Sequence, residues 1–286
     1  MADKWIKCIA RGGNMLATTI TAVDLIEDAR KRHKLGPAET RALGEALMAG
    51  LLLASNCKAG DRVSISVKGD NFLRQAVVDA NPTGSVRGFI ISSDLVRNVD
   101  RTRGPWQNGL LSVVRLRSNE KEPYTGTVPN VTGHLAKDLT FYLTQSEQIP
   151  SAVGLAVNLD ETGAVQSAGA FLVQVMPGAT DEEIRSVETH ISEIQSITTH
   201  LTQDNNPTKL LAHLFSDVTF TIIDERPLSF ECNCTKDRVK RALKMVGKPE
   251  LLDMIAKDRG AEVNCDFCGE QFKFSDSDLQ EIIEEI

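Results

Sequence analysis

Phe230-Glu231-Cys232-Asn233-Cys234 and, thirty residues further on, Cys265-Asp266-Phe267-Cys268-Gly269 are the stretches that decide how this chain is built. Four of its six cysteines lie between residues 232 and 268, while Cys8 and Cys57 stand apart. In an extended segment, residues two apart face the same side, so Cys232 and Cys234 can present both sulfurs to one ion. Cys265 and Cys268 have zinc-knuckle spacing, and Gly269 permits the left-handed backbone that lets amide hydrogens bond thiolates. Four thiolates suit Zn2+, a soft-tolerant ion with a tetrahedral preference. The spacing fits neither ferredoxin-type run, and no βαβ unit surrounds Cys265 and Cys268 as a thioredoxin-like motif requires.

Residues 231–286 are too few to bury a large core, and zinc–thiolate binding supplies roughly 10–16 kcal/mol of folding free energy. Four protein ligands leave no position open for water or substrate, which argues against a catalytic zinc. The CxC pair closes into a disulfide only as a strained small ring, and strained disulfides are readily reversed. Such a site can be a scaffold when reduced and a trigger when oxidised. The alternative is a binding module with a permanently structural zinc that contacts nucleic acid or ribosomes. Lys236, Lys240, Arg241 and Lys244, on a helix predicted over 235–246, give that alternative a basic face. However, residues 231–286 hold 13 acidic side chains against 9 Lys and Arg, so a solvated face is the simpler reading and nucleic acid is disfavoured.

Before this module, Thr180-Asp181-Glu182-Glu183 has the spacing of a capping box after Pro177-Gly178. Ile184, Val187, Ile191, Ile194 and Leu201 follow at a and d spacing, interrupted by Thr198. Either the helix packs this stripe on its own protein, or the stripe can be released and offered to a partner. Asn205-Asn206-Pro207 stops the helix and starts a short one through Leu210, Leu211 and Leu214.

Further upstream, helices are predicted over 21–33 and 37–54, the second apolar over a wide arc and therefore central. The alternation in Arg62–Lys68 and the turn at Gly69-Asp70-Asn71 predict a hairpin with a strand through Val77 and Val78. Strands at 86–91, 110–117, 153–159 and 170–175 and a helix within 131–145 complete the pattern. The stretch 93–108 reads as an exposed loop. Helices mixed with hairpins give an α+β fold class: an α+β core domain over 1–178, a helical linker region over 179–230, and a C-terminal zinc-binding module over 231–286.

The whole chain has 286 residues, 41% apolar and 25% charged, with a net charge of -7 and only 5% aromatic residues. This balance disfavours general affinity for phosphate backbones or anionic membranes. The longest apolar run, Ala46 to Ala54, is about half of what a bilayer span needs, and Arg11-Gly12-Gly13 breaks any signal-like segment, so the expected location is cytoplasmic. No GxSxG elbow, Walker A loop or GxGxxG fingerprint is present, and a non-enzymatic role is expected. His33, His134, His190, His200 and His213 read as surface or satisfied packing residues, and Cys8 and Cys57 as inert thiols.

The pattern Phe230-x-Cys232-x-Cys234-Thr235-x-x-Arg238, then Ala242-Leu243, Gly247-x-Pro249-Glu250-Leu251, and Cys265-x-x-Cys268 with Phe272-x-Phe274 resembles the bacterial 33 kDa heat-shock chaperone family. Tyr124-Thr125-Gly126, Ser146-Glu147-Gln148 and Ala168-Gly169-Ala170-Phe171-Leu172-Val173-Gln174 agree with it, and the resemblance covers nearly the whole chain. It implies a redox-regulated, ATP-independent holdase that is inactive when reduced and zinc-bound. Oxidation would then form disulfides Cys232–Cys234 and Cys265–Cys268, release zinc and unfold the linker. The partners implied are unfolding client proteins and, on activation, a second copy of the chain. Ile184, Val187, Ile191, Ile194 and Leu201 are the candidate client-binding residues.

Overall fold

In the computed structural model, which describes residues 2–10, 14–93, 104–194, 197 and 206–286, the first unit is organised around helix α2 (Pro37–Ala54). Pro37 sits in its first turn after an extended Gly36, a position where the missing N–H costs nothing. Thirteen of its eighteen residues are buried, because both sides of the helix face a sheet. One sheet has the order β10-β1-β2-β9-β8, built from β1 (Lys4–Ala10), β2 (Met15–Thr21), β8 (Ser151–Leu159), β9 (Val165–Val175) and β10 (Phe220–Pro227). The other has the order β11-β5-β4-β3-β6-β7, with β3 (Arg62–Lys68), β4 (Leu73–Ala80), β5 (Ser85–Ser92), β6 (Leu110–Leu116), β7 (Tyr124–Pro129) and β11 (Ser229–Phe230). Helix α2 packs on β3, β4 and β5 of one sheet and on β2, β8 and β9 of the other. At Gly50 the approach is close enough that an added Cβ would lie 2.8 Å from Val78 Cγ1.

All pairings in these sheets are antiparallel except β11, which runs parallel to β5. The hairpin predicted from the alternation in Arg62–Lys68 is the β3–β4 pair, with Ile65 opposite Val78. Helix α1 (Val23–His33) starts where the Asp3 carboxylate accepts the N–H groups of Val23 and Leu25, at 2.9 and 2.7 Å. Helix α3 (Leu135–Ser146) packs on β7 and β8.

The structure departs from the sequence reading in three places. Trp106, inside the stretch read as an exposed loop, is fully buried; its N–H donates to Gly133 O and its carbonyl accepts from Asn130 Nδ2. Residues 94–103 of that stretch lie outside the described residues. Strands β1 and β2 have no counterpart among the predicted elements; β2 shows no alternation, being buried on both faces with Thr18, Thr19 and Thr21 inside. Finally, the region 179–230 is not helical throughout. It contains α4 (Asp181–Glu193) and α5 (Pro207–Leu214), but Phe220–Pro227 is β10, an edge strand paired antiparallel with β1.

The chain divides into two compact units, residues 1–231 and 232–286. The second contains α6 (Lys236–Val246), α7 (Lys248–Asp258), the hairpin β12 (Gly260–Asn264) with β13 (Gln271–Ser275), and α8 (Asp276–Glu284). Its core is small: Leu243, Leu251, Phe274, Leu279 and Ile282 are buried, with Val239, Ile255 and Phe272 packed against them. Among the described residues, no helix is long and apolar enough to cross a membrane. The molecule is thus an α+β protein of eight helices and thirteen strands among the described residues.

Candidate metal centre

The four clustered cysteines come together. Cys232 and Cys234 lie on the extended stretch that leaves β11, and Cys265 and Cys268 on the turn joining β12 to β13. Their sulfurs all lie within 4.8 Å of one another, an arrangement that could hold a metal ion. Cys232 Sγ is 3.7 Å from Cys265 Sγ, and Cys234 Sγ is 3.2 Å from Cys268 Sγ. Cys268 is buried, the other three are half-buried, and none is in a disulfide.

Local sequence explains this placement. Thr235 caps α6 by accepting the Arg238 N–H, which ends the extended CxC stretch directly after Cys234. On the other side, the Cys265 N–H donates to Glu270 O while the N–H groups of Cys268 and Gly269 donate to Cys265 O. Gly269 makes this turn possible with φ of 72°. Gly269 takes the left-handed backbone expected of it, and its own N–H bonds the Cys265 carbonyl. The amides that reach sulfur are those of Cys234, on Cys232, and Glu270, on Cys268.

The electrostatics of the cluster favour a cation. Burial opposes the charged form of Cys232, yet hydrogen bonds from the Cys234 amide and from the Cys234, Cys265 and Cys268 thiols hold its pKa below the usual range. Burial and the neighbouring sulfurs push Cys234 upward, and burial pushes Cys268 up to about 11. Four adjacent thiolates therefore require a positive charge between them.

Comparison with known proteins bears on this site directly. A family model described as Hsp33 protein matches residues 3–275. The chain belongs to the Hsp33 family. A 33 kDa chaperonin of Levilactobacillus brevis is 37% identical, covering 100% of this chain and 99% of that protein. One from Streptococcus pyogenes serotype M1 is 36% identical with 98% of each covered. The crystal structure of the 33 kDa chaperonin of Thermotoga maritima superposes with a TM-score of 0.91 at 27% identity, covering 100% of this chain and 99% of that one. This Hsp33-family protein is accordingly a chaperone, and its four-cysteine cluster is consistent with the zinc that the sequence predicts.

The predicted stripe on α4 packs on its own protein. Val187 is buried, and Ile184, Ile191 and Ile194 pack against a cluster that includes Ile6, Phe171, Leu210 and Leu214. The single long helix read from the spacing is corrected: α4 ends at Glu193, and Ile194 leaves it with ψ of 89°. Leu201 and Thr198 lie outside the described residues, while Ile197 adds a buried apolar side chain that the a and d spacing passed over. The basic face of α6 is engaged by acids, with Lys236 on Asp278 and both Lys240 and Lys244 on Glu285.

Proposed function

We propose that the protein is a redox-regulated, ATP-independent holdase that binds unfolding proteins and prevents their aggregation under oxidative and heat stress, without catalysing a reaction. The observation that carries this reading is the meeting of four sulfurs within 4.8 Å in a module with only five side chains in its buried core. Zn2+ is the ion that the donor set fits: a tetrahedron with Zn–S bonds of about 2.3 Å has sulfur–sulfur edges of about 3.8 Å, and the Cys232–Cys265 separation is 3.7 Å, the Cys234–Cys268 pair lying closer at 3.2 Å. Cys232, Cys234, Cys265 and Cys268 are its ligands. When bound, zinc supplies the charge that lets four thiolates share one site and most of the folding free energy of the module.

Oxidation removes the ligands. Each cysteine pair gives two electrons to an oxidant such as peroxide or hypochlorite, and the disulfides Cys232–Cys234 and Cys265–Cys268 form. Residues 232–286 then lose the metal that holds them, and the region 179–230 is destabilised. Ile184, Val187, Ile191, Ile194 and Leu201 become available to clients, and activation is accompanied by formation of a homodimer. The setting is the cytoplasm, where reducing conditions keep the thiols ready for the switch.

The experiment follows zinc release during peroxide or hypochlorite treatment at mild heat and tests the product against aggregation of an unfolded client. Zinc loss should rise together with aggregation suppression. Retention of zinc with no gain in suppression would overturn the reading in favour of a permanently structural site.

A further inference from the structure

A cleft of about 580 Å³ opens in the first unit, within the size range of small-molecule sites. Its apolar lining includes Leu16, Leu53, Leu143 and Ile149. Its charged lining is basic in excess, with Lys7, Arg62, Arg115 and Arg117 against Asp61 and Glu147, on a chain whose net charge is -7.

The two acids are already occupied. Asp61 accepts from the N–H groups of Lys58 and Ser118, and Glu147 takes a two-pronged bond from Arg115 at 2.9 and 2.7 Å. Several donors are not. Arg62 has no ion-pair partner among the described residues, and Lys7, opposite Asp224 on β10, spends one Nζ hydrogen on the Ser55 carbonyl, the one hydrogen bond of its ammonium among the described residues. Gln174 lines the same cleft and is 95% buried; its amide oxygen accepts from Asn56 Nδ2 at 2.6 Å, while its NH2 group meets no acceptor among the described residues. Donors left with free hydrogens beside an apolar lining call for a ligand that is acceptor-rich at one end.

We propose that this cleft binds a small amphiphilic anion, a carboxylate or phosphate head on a short apolar body. The head meets the donors of Lys7, Arg62 and Gln174, and the body covers Leu16, Leu53, Leu143 and Ile149. This gives a place to Ser146-Glu147-Gln148, a motif that the chaperone reading leaves without a role: Glu147 holds the Arg115 guanidinium at the cleft, with Nη1 3.6 Å from Cys57 Sγ. The cleft draws on β1, β2 and β9 of one sheet and on β3 and β6 of the other, so a ligand there bridges both.

Cys57 lines the cleft and reports on its occupancy, while fully buried Cys8 serves as an internal control. The test measures the initial alkylation rate of Cys57 by iodoacetamide in the full-length, reduced, zinc-loaded protein, mapped by peptide mass spectrometry. Octanoate, octyl phosphate and uncharged octanol are the probes. Saturable protection of about fivefold or more is expected from at least one anion and none from octanol. Protection by octanoate alone assigns a carboxylate, by octyl phosphate alone a phosphate, and by both an unselective anion site. Arg62→Ala, at an exposed position, should raise the half-protecting concentration about fivefold with no change in thermal midpoint. Absence of protection by either anion, equal protection by octanol, or unchanged half-protection in Arg62→Ala would each overturn the proposal.

Discussion

Asp3 shows how one buried carboxylate ties titration to stability. It is 5% exposed and accepts two N–H groups at the start of α1, yet burial, with Asp24 adding to it, pushes its pKa up to about 6. The folded state therefore holds the Asp3 proton over a range in which the unfolded chain has released it. This contribution to stability is complete below about pH 4 and is lost as pH rises through about 6, on the order of 3 kcal/mol in all. Asp3→Asn should remove that dependence, so denaturant titrations at pH 4 and pH 7 should show a larger loss in the parent protein than in the variant. Equal losses would mean that Asp3 ionises freely. Among the thiols, fully buried Cys8, pushed up to about 12, should resist alkylation under native conditions, as its reading as an inert filler requires.

At the scale of elements, α4 depends on its first turn. Thr180 Oγ1 accepts the Glu183 N–H, Glu183 accepts the Thr180 N–H in return, and Asn14 Nδ2 adds a bond to the same carboxylate. Thr180→Ala should cost about 1 kcal/mol, read as faster amide exchange across 181–193. Exchange unchanged there would show that packing of Val187 alone holds the helix. The short strand β11 depends on Gly84, whose φ is 94° and whose carbonyl accepts the Ser229 N–H; an added Cβ would run into the Pro227 carbonyl oxygen. Gly84→Ala should lower stability by about 1–3 kcal/mol, seen as a reduced thermal midpoint. It should also loosen Phe230, which packs against the His33 ring and lies under Arg32 two residues before Cys232.

For the whole molecule, two units with unequal cores imply unequal dependence on metal. Chelation under reducing conditions should melt residues 232–286 while the sheets around α2 stay protected, a pattern that hydrogen exchange by region resolves. If the apoprotein keeps full protection in 232–286, the five-residue core suffices and metal is not the source of its fold. Cys232→Ser should behave like the chelated protein without added oxidant, with suppression of client aggregation in its reduced form. Lack of activity under every condition would make the cluster a scaffold only.

The cluster, α2 and the β3–β4 hairpin were legible in the chain because each is written in local spacing. One and two residues between paired thiols, a wide apolar arc and strict alternation each point to one geometry. The capping box at Thr180 belongs with them. Partners distant in sequence decided the rest. Strand β10 pairs with β1 across more than two hundred residues, Trp106 is buried by backbone and side-chain partners in 130–133, and the α4 stripe is covered by residues from β1, β9 and α5. The tertiary turn also selected the amide that bonds the Cys268 sulfur: the Gly269 N–H closes on Cys265 O, and the Glu270 N–H reaches the sulfur. Local spacing specifies which groups can act together, and long-range pairing specifies which surfaces remain for them to act upon, since burial depends on neighbours that no short window of sequence contains.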